Sequence, residues 1–244
     1  MWQAEIESFK SYLQLEKSLS QHSIDAYVHD VLKLTQYLRI ETPEKTVDDV
    51  TLKDLETFIV WLNDFGLDEK SQARIISGLK GFFKFLMQEN ISEKNPAELL
   101  QAPKTARTLP DTLSVEEIDA IIKAIVMKSE DKWEHRDKAI IETLYSCGLR
   151  VSEAVNLQLS NLFFDVDFIK VIGKGNKERL VPIGSKAKSE IETYLNSVRN
   201  KYPTVKGEED ILFLNKRGKR LSRVYIFLMI KDYAKKAGID KTIS

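Results

Sequence analysis

Apolar residues recur at intervals of three and four through the first hundred positions, a spacing that predicts helices. Ile6, Phe9 and Leu13 mark the first; Ile24, Tyr27, Val31, Leu34 and Leu38 mark a second, capped by Ser20. Thr51 with Asp54 has the form of a capping box, and the stripe of Leu55, Phe58, Ile59 and Leu62 behind it stops near Gly66. From about Ser71 to Gln88, Ile75, Ile76, Leu79, Phe82, Phe83 and Leu86 face one way, which leaves Arg74, Lys80 and Lys84 on a basic side of a fourth helix.

The periodicity lapses between Pro103 and Pro110, and the stretch reads as an extended linker. The predicted organisation is a helical domain at 1–102, a linker at 103–112 and a second domain at 113–244. Ser114 and Glu117 form another capping box, ahead of Ile118, Ile121, Ile122 and Ile125. A helix carrying Ile140, Ile141, Leu144 and Tyr145 ends at Gly148 and another begins near Val151, so Arg150 sits on a helix-turn-helix corner. Phe168 to Ile172 and Glu178 to Ile183 are β-prone and are separated by Gly173-Lys174-Gly175-Asn176-Lys177, which predicts a hairpin. A helix from Ser185 to Arg199, a short strand at Ile211-Leu212-Phe213 and a last helix from the Ser222 cap to Gly238 complete the pattern. The fold class is mainly α with a small β component.

Composition narrows the class. The 244 residues are 43% hydrophobic, enough for a core in each domain, yet no apolar run approaches the roughly 20 residues of a membrane span. The N-terminus lacks the basic-then-apolar order of a signal peptide, and the expected location is the cytoplasm. Cys147 is the single cysteine and reads as a small buried side chain. His22, His29 and His135 have no ligand spacing, so no metal is expected. The net charge of zero hides a division: residues 1–107 carry 13 basic and 17 acidic side chains, a net of −4, and the remainder carries 24 and 20, a net of +4. Phosphate binding depends on where the cations cluster rather than on the total.

Arg150 is the first candidate for chemistry, because a guanidinium on a rigid corner offers two aligned donors to a phosphate and stays charged. Glu153, one turn on, can orient it; the bland alternative is a surface ion pair. Lys174 lies at a hairpin tip whose glycines let the backbone approach a ligand, where an ammonium can protonate a departing oxygen. Its alternative is an ordinary turn lysine. Gly173-Lys174-Gly175 lacks the spacing of a phosphate-binding P-loop. Arg74, Lys80 and Lys84 are either phosphate contacts or a solvated face.

Taken together, Gly148-Leu149-Arg150-Val151-Ser152-Glu153 and Val171-Ile172-Gly173-Lys174-Gly175-Asn176-Lys177-Glu178-Arg179-Leu180-Val181-Pro182-Ile183 resemble the tyrosine site-specific recombinases, the phage integrase family, of the XerC and XerD type, XerD more closely. Ser20, Tyr27 and Asp30, the helix from Arg74 to Leu86, and Leu109-Pro110 leading to Leu113-Ser114 fit the same family, so the resemblance covers nearly the whole chain. It implies a helical, SAM-like core-binding domain and an α+β catalytic domain that clamp a DNA duplex. It also implies cleavage through a 3′-phosphotyrosyl link without ATP, metal or other cofactor, and a tetramer on paired double-stranded sites, with a paralogous recombinase as a possible partner.

Carried over residue by residue, Arg150 grips the scissile phosphate, Lys174 protonates the leaving 5′ oxygen and Glu153 supports them. Lys177 and Arg179 on the hairpin, and Lys216, Arg217, Lys219, Arg220 and Arg223 ahead of the last helix, become expected phosphate contacts. The family continues beyond the position of Ser244 into a His-x-x-Arg helix and the tyrosine nucleophile, so the expectation is a chain with no nucleophile and no cleavage of its own. Tyr225 and Tyr233, at helical spacing, are expected to be packing residues. The alternative class is a non-catalytic DNA-binding protein that occupies recombination sites or regulates a complete recombinase; a scaffold unrelated to DNA would need both motifs to be accidents.

Overall fold

The computed structural model describes residues 2–104, 111–125 and 132–243. Chain contacts divide it into Met1–Thr108 and Leu109–Ser244. Most of the expected linker, residues 105–110 with Leu109 and Pro110, lies outside the described residues.

In the first unit four helices follow the apolar stripes: α1 (Gln3–Leu15), α2 (Gln21–Glu41), α3 (Leu52–Asp64) and α4 (Glu69–Gln88). Side chains close their N-termini as the local sequence dictates. Ser20 accepts from the Ser23 amide, and Thr51 and Asp54 form the reciprocal capping box. α4 begins at Glu69, two residues before the expected Ser71, because Asp68 accepts from the Ser71 amide and sets the start. Phe9, Phe58, Phe82 and Phe83 are fully buried, with Phe9 and Phe82 meeting edge to face at 5.3 Å.

The second unit opens with α5 (Val115–Lys123), capped by Ser114 and Glu117, and α6 (Glu134–Ser146), followed by the short α7 (Val151–Val155). A three-stranded antiparallel sheet of order β1-β2-β3 comes next: β1 (Leu162–Phe163), β2 (Phe168–Ile172) and β3 (Glu178–Pro182). The expected hairpin is β2 and β3, in register from Phe168 opposite Pro182 to Ile172 opposite Glu178; the two-residue β1 is too short to leave a periodic signal. Alternation along β2 buries Ile169 and Val171, whereas β3 is largely exposed. α8 (Ser185–Ser197) packs on α6, and α9 (Arg223–Lys236) starts at the Ser222 cap. The core gathers Ala139, Ile140, Ile191, Tyr194, Phe213 and Ile226.

Two expectations about this unit fail. Ile211-Leu212-Phe213 is no strand: Ile211 makes an isolated bridge to Gln158, and Leu214 makes one to Arg220. Their backbone groups are satisfied piecemeal, the Leu212 amide by the Leu157 carbonyl and the Leu214 amide by the Tyr194 hydroxyl, so a short buried apolar run mimics a strand. α8 stops at Ser197, and Arg199 turns inward in a single 3-10 turn to donate to the carbonyls of Glu209 and Ile211.

Candidate active site

The corner that carries Arg150 is built by local rules. α6 ends where Gly148 takes φ 56°, a conformation costly for any residue with a Cβ, and the Leu149 amide bonds back to the Leu144 carbonyl. Leu149 is buried and pins the turn, so the next residue starts a new helix from an extended conformation, φ −69° and ψ 148°. Arginine has no acceptor and cannot cap the Glu153 amide; the reciprocal half of the box is made instead, Glu153 Oε2 accepting from the Arg150 amide at 2.8 Å. Arg150 Nη1 also donates to Glu153 Oε1 at 3.1 Å, while the side chain remains 73% exposed. The guanidinium is tethered at one edge and open at the other.

Glu153 is buried and has a further partner. Arg179, on β3, donates from Nη1 to Oε1 at 2.7 Å and from Nη2 to Oε2 at 2.9 Å, a two-point ion pair. Arg179 holds the Glu153 carboxyl far below the usual range, at about 2; burial opposes this, and the Arg150 amide and guanidinium add to it. Gly173 lies against the same pair. A Cβ there would sit 3.3 Å from Glu153 Oε1 and 3.4 Å from Arg179 Nη1.

The turn from Gly173 to Lys177 is closed by the Gly173 amide on the Lys177 carbonyl at 2.8 Å, with Gly175 and Asn176 at positive φ. Lys174 and Lys177 are exposed on it, and neither side chain bonds to a described residue. The structure thus brings Arg150, Glu153, Arg179 and the base of the Lys174 hairpin together.

Residues 111–244 match the phage integrase family, and residues 6–90 match the phage integrase N-terminal SAM-like domain. The chain belongs to the phage integrase family. It is 36% identical to the tyrosine recombinase XerD of Oceanobacillus iheyensis over 98% of this chain and 80% of that protein. It is 38% identical to XerD of Chlorobaculum tepidum over 100% of this chain and 79% of that protein. These matches make it a member of the XerD-type tyrosine recombinases, enzymes of site-specific DNA recombination.

Solved integrase-family structures share the fold. The Tn1549 transposon integrase in complex with circular intermediate DNA aligns at a TM-score of 0.72 with 18% identity, over 98% of this chain and 81% of that one. The XerH recombinase bound to its difH substrate aligns at 0.71 with 22% identity, over 93% and 66%. The lambda integrase tetramer bound to a Holliday junction aligns at 0.71 with 17% identity, over 99% and 67%.

The other integrase-family candidates are scattered. Arg74 makes a two-point bond to the fully buried Asp30, 2.6 and 2.8 Å, and keeps half of its side chain in solvent. Lys80 donates to the Glu98 carbonyl at 3.3 Å; Lys84 lines a cavity of about 360 Å³ with Phe9, Tyr12 and Tyr27. Arg220 is paired with Glu208 at 2.8 Å and donates to Asn156, whereas Arg223 is exposed at the start of α9.

Tyr225 and Tyr233 are more than packing. The Arg136 guanidinium, buried and paired with Asp137, donates to the Tyr225 hydroxyl, and the Tyr233 hydroxyl donates to Asp137 at 3.0 Å. Burial and the neighbouring Asp137 charge push the Tyr233 phenol well above its ordinary value. Burial likewise raises the Cys147 thiol. Among the described residues no cluster of His, Cys, Asp and Glu fits a metal, and no helix is long and apolar enough to cross a membrane.

The basic hairpin points Arg179 to phosphate, whereas the fold pairs it with Glu153. A charge pair separated by 26 positions leaves no local signal. The interior acid at Asp30, set within the apolar stripe of α2, was the one readable hint that a cation must reach it.

Proposed function

We propose that this chain supplies Arg150 and Lys174 to a DNA-cleaving site, with Glu153 as the support of Arg150. The carrying observation is the state of Arg150: one edge fixed by a buried carboxylate, the rest of the guanidinium open to solvent. Such a group grips the non-bridging oxygens of a phosphate without reorganising when charge grows on them. As a tyrosine hydroxyl gives up its proton to solvent and its oxygen bonds to phosphorus, the bond to the 5′ oxygen breaks; the Lys174 ammonium gives its proton to that oxygen, which leaves as a hydroxyl, and the lysine is left neutral. We assign the nucleophile to neither Tyr225 nor Tyr233, whose hydroxyls are engaged with Arg136 and Asp137.

The ligand on this reading is a double-stranded recombination site. Arg74, Lys80, Lys84, Lys177, Arg220 and Arg223 face its backbone, and several copies of the chain, with or without a paralogous recombinase, assemble as a tetramer on paired sites. No cofactor enters the reaction. In support of assembly on DNA, a similarly folded lambda integrase forms a tetramer on a Holliday junction.

The test is covalent trapping of the protein, expressed from its complete reading frame, on a nicked suicide duplex. Arg150→Ala is expected to lose about 10²- to 10³-fold in trapping rate, the usual cost of removing one preorganised donor, with duplex affinity nearly unchanged. Trapping by the variant at the parent rate would overturn the assignment.

A further inference from the structure

We propose that Arg179 is a positioning residue for cleavage: its two-point bond to Glu153 clasps the Lys174 hairpin to the Arg150 corner, so that phosphate grip and proton donor are held as one unit. The inference rests on the assignment of Lys174 as the proton donor.

The hairpin needs such a clasp. β2 is anchored by the buried Ile169 and Val171, but β3 is exposed along most of its length, and Leu180 is 63% exposed. Beyond the Ile172 and Glu178 pair the turn is closed by its own Gly173 to Lys177 hydrogen bond, which fixes its shape and not its direction. Arg179 is the next residue along β3, opposite Val171, and its guanidinium ends on Glu153, a residue of α7. Two parallel hydrogen bonds fix an angle as well as a distance.

Gly173 adds a packing contact to the ion pair. Its φ of −98° is open to any residue, so backbone freedom does not call for glycine there. A methyl group at that position would be tight against Glu153 Oε1 at 3.3 Å and in ordinary contact with Arg179 Nη1 at 3.4 Å. The base of the turn is therefore seated directly on the clasp, one residue before Lys174.

A direct phosphate contact by Arg179, expected from its place on a basic hairpin, predicts a different defect. A phosphate ligand acts on the transition state whatever atom leaves. A residue acting through Lys174 matters only when the leaving atom needs a proton. A duplex with sulfur at the bridging 5′ position separates the two, since a thiolate departs unprotonated.

The experiment is single-turnover cleavage by the complete protein on matched 5′-oxygen and 5′-sulfur duplexes. Lys174→Ala should lose about 10²- to 10⁴-fold on oxygen and recover on sulfur. Arg179→Ala should lose about 10- to 100-fold on oxygen, part of the same effect, and come within about threefold of the parent on sulfur. Arg179→Lys, which keeps the charge but not the fork, should fall between. Should Arg179→Ala fail to fold by circular dichroism, Gly173→Ala carries the test, with the same selective rescue by sulfur.

Equal losses for Arg179→Ala on both duplexes, or no loss on oxygen, would overturn the clasp while leaving the role of Lys174 intact. If Lys174→Ala is not rescued by sulfur, or the parent protein cleaves neither duplex, the assignment of Lys174 fails and the clasp falls with it.

Discussion

At the scale of single residues, Glu153 couples this site to pH. Its carboxyl is buried and is held at about 2 against an ordinary 4.5, chiefly by Arg179. A depressed carboxylate stabilises the fold fully above its unfolded value and loses that contribution as the pH falls toward its folded value. The shift corresponds to about 3 kcal/mol, and solvent around the two guanidiniums reduces it to the order of 1–2 kcal/mol. The window is therefore roughly pH 4.5 down to 2. Glu153→Gln should be less stable than the parent by about that amount at pH 6, with the gap closing toward pH 2, as read from urea midpoints. A gap independent of pH would mean that the charge of Glu153 contributes nothing and that shape alone matters.

At the scale of elements, two glycines on α4 separate helix propensity from packing. Gly78 faces Asp30: a Cβ there would lie 2.7 Å from Asp30 Oδ2 and 3.1 Å from its Cβ. Gly81, less than one turn on, would meet nothing closer than Phe9 Cζ at 3.9 Å. Alanine is favoured over glycine within a helix by about 1 kcal/mol. Gly81→Ala should accordingly raise the melting temperature, whereas Gly78→Ala should lower it by displacing the Asp30 and Arg74 pair, at a cost of about 1–3 kcal/mol. Thermal denaturation of the two variants side by side decides this; an increase for both would show that α4 tolerates a methyl against Asp30.

The same elements show what a sequence discloses. The caps at Ser20, Thr51, Ser114 and Ser222 were readable because each bonds an amide three residues away. The corner at Arg150 was readable for the same reason, Gly148 and Glu153 both being near neighbours. Ile211-Leu212-Phe213 misled because burial alone makes a run of three apolar residues look like a strand. The bonds from Arg179 to Glu153, from Arg74 to Asp30 and from Tyr233 to Asp137 were not legible: each joins distant positions, and only the packed fold determines which cation or phenol meets which buried acid.

At the scale of the whole molecule, zero net charge is compatible with DNA binding because the cations differ in what they already hold. Lys177 and Arg223 are exposed and have no side-chain partner among the described residues, while Arg220 is neutralised by Glu208 at 2.8 Å. Binding to duplex releases counterions in proportion to the phosphates that are newly neutralised, with a slope of about 0.9 in log K against log salt for each. A cation already paired with a carboxylate must exchange that partner for phosphate, and its net contribution to the slope is smaller. Lys177→Ala and Arg223→Ala are therefore each expected to reduce the salt slope by about 0.9, and Arg220→Ala by clearly less, with duplex affinity measured from about 50 to 200 mM salt. Because the proposed contacts are to the phosphate backbone, the loss for each variant should be the same on a recombination site as on unrelated duplex. A loss confined to one sequence would assign the residue to base recognition, and a full reduction in slope for Arg220→Ala would mean that its bond to Glu208 breaks without cost when DNA arrives.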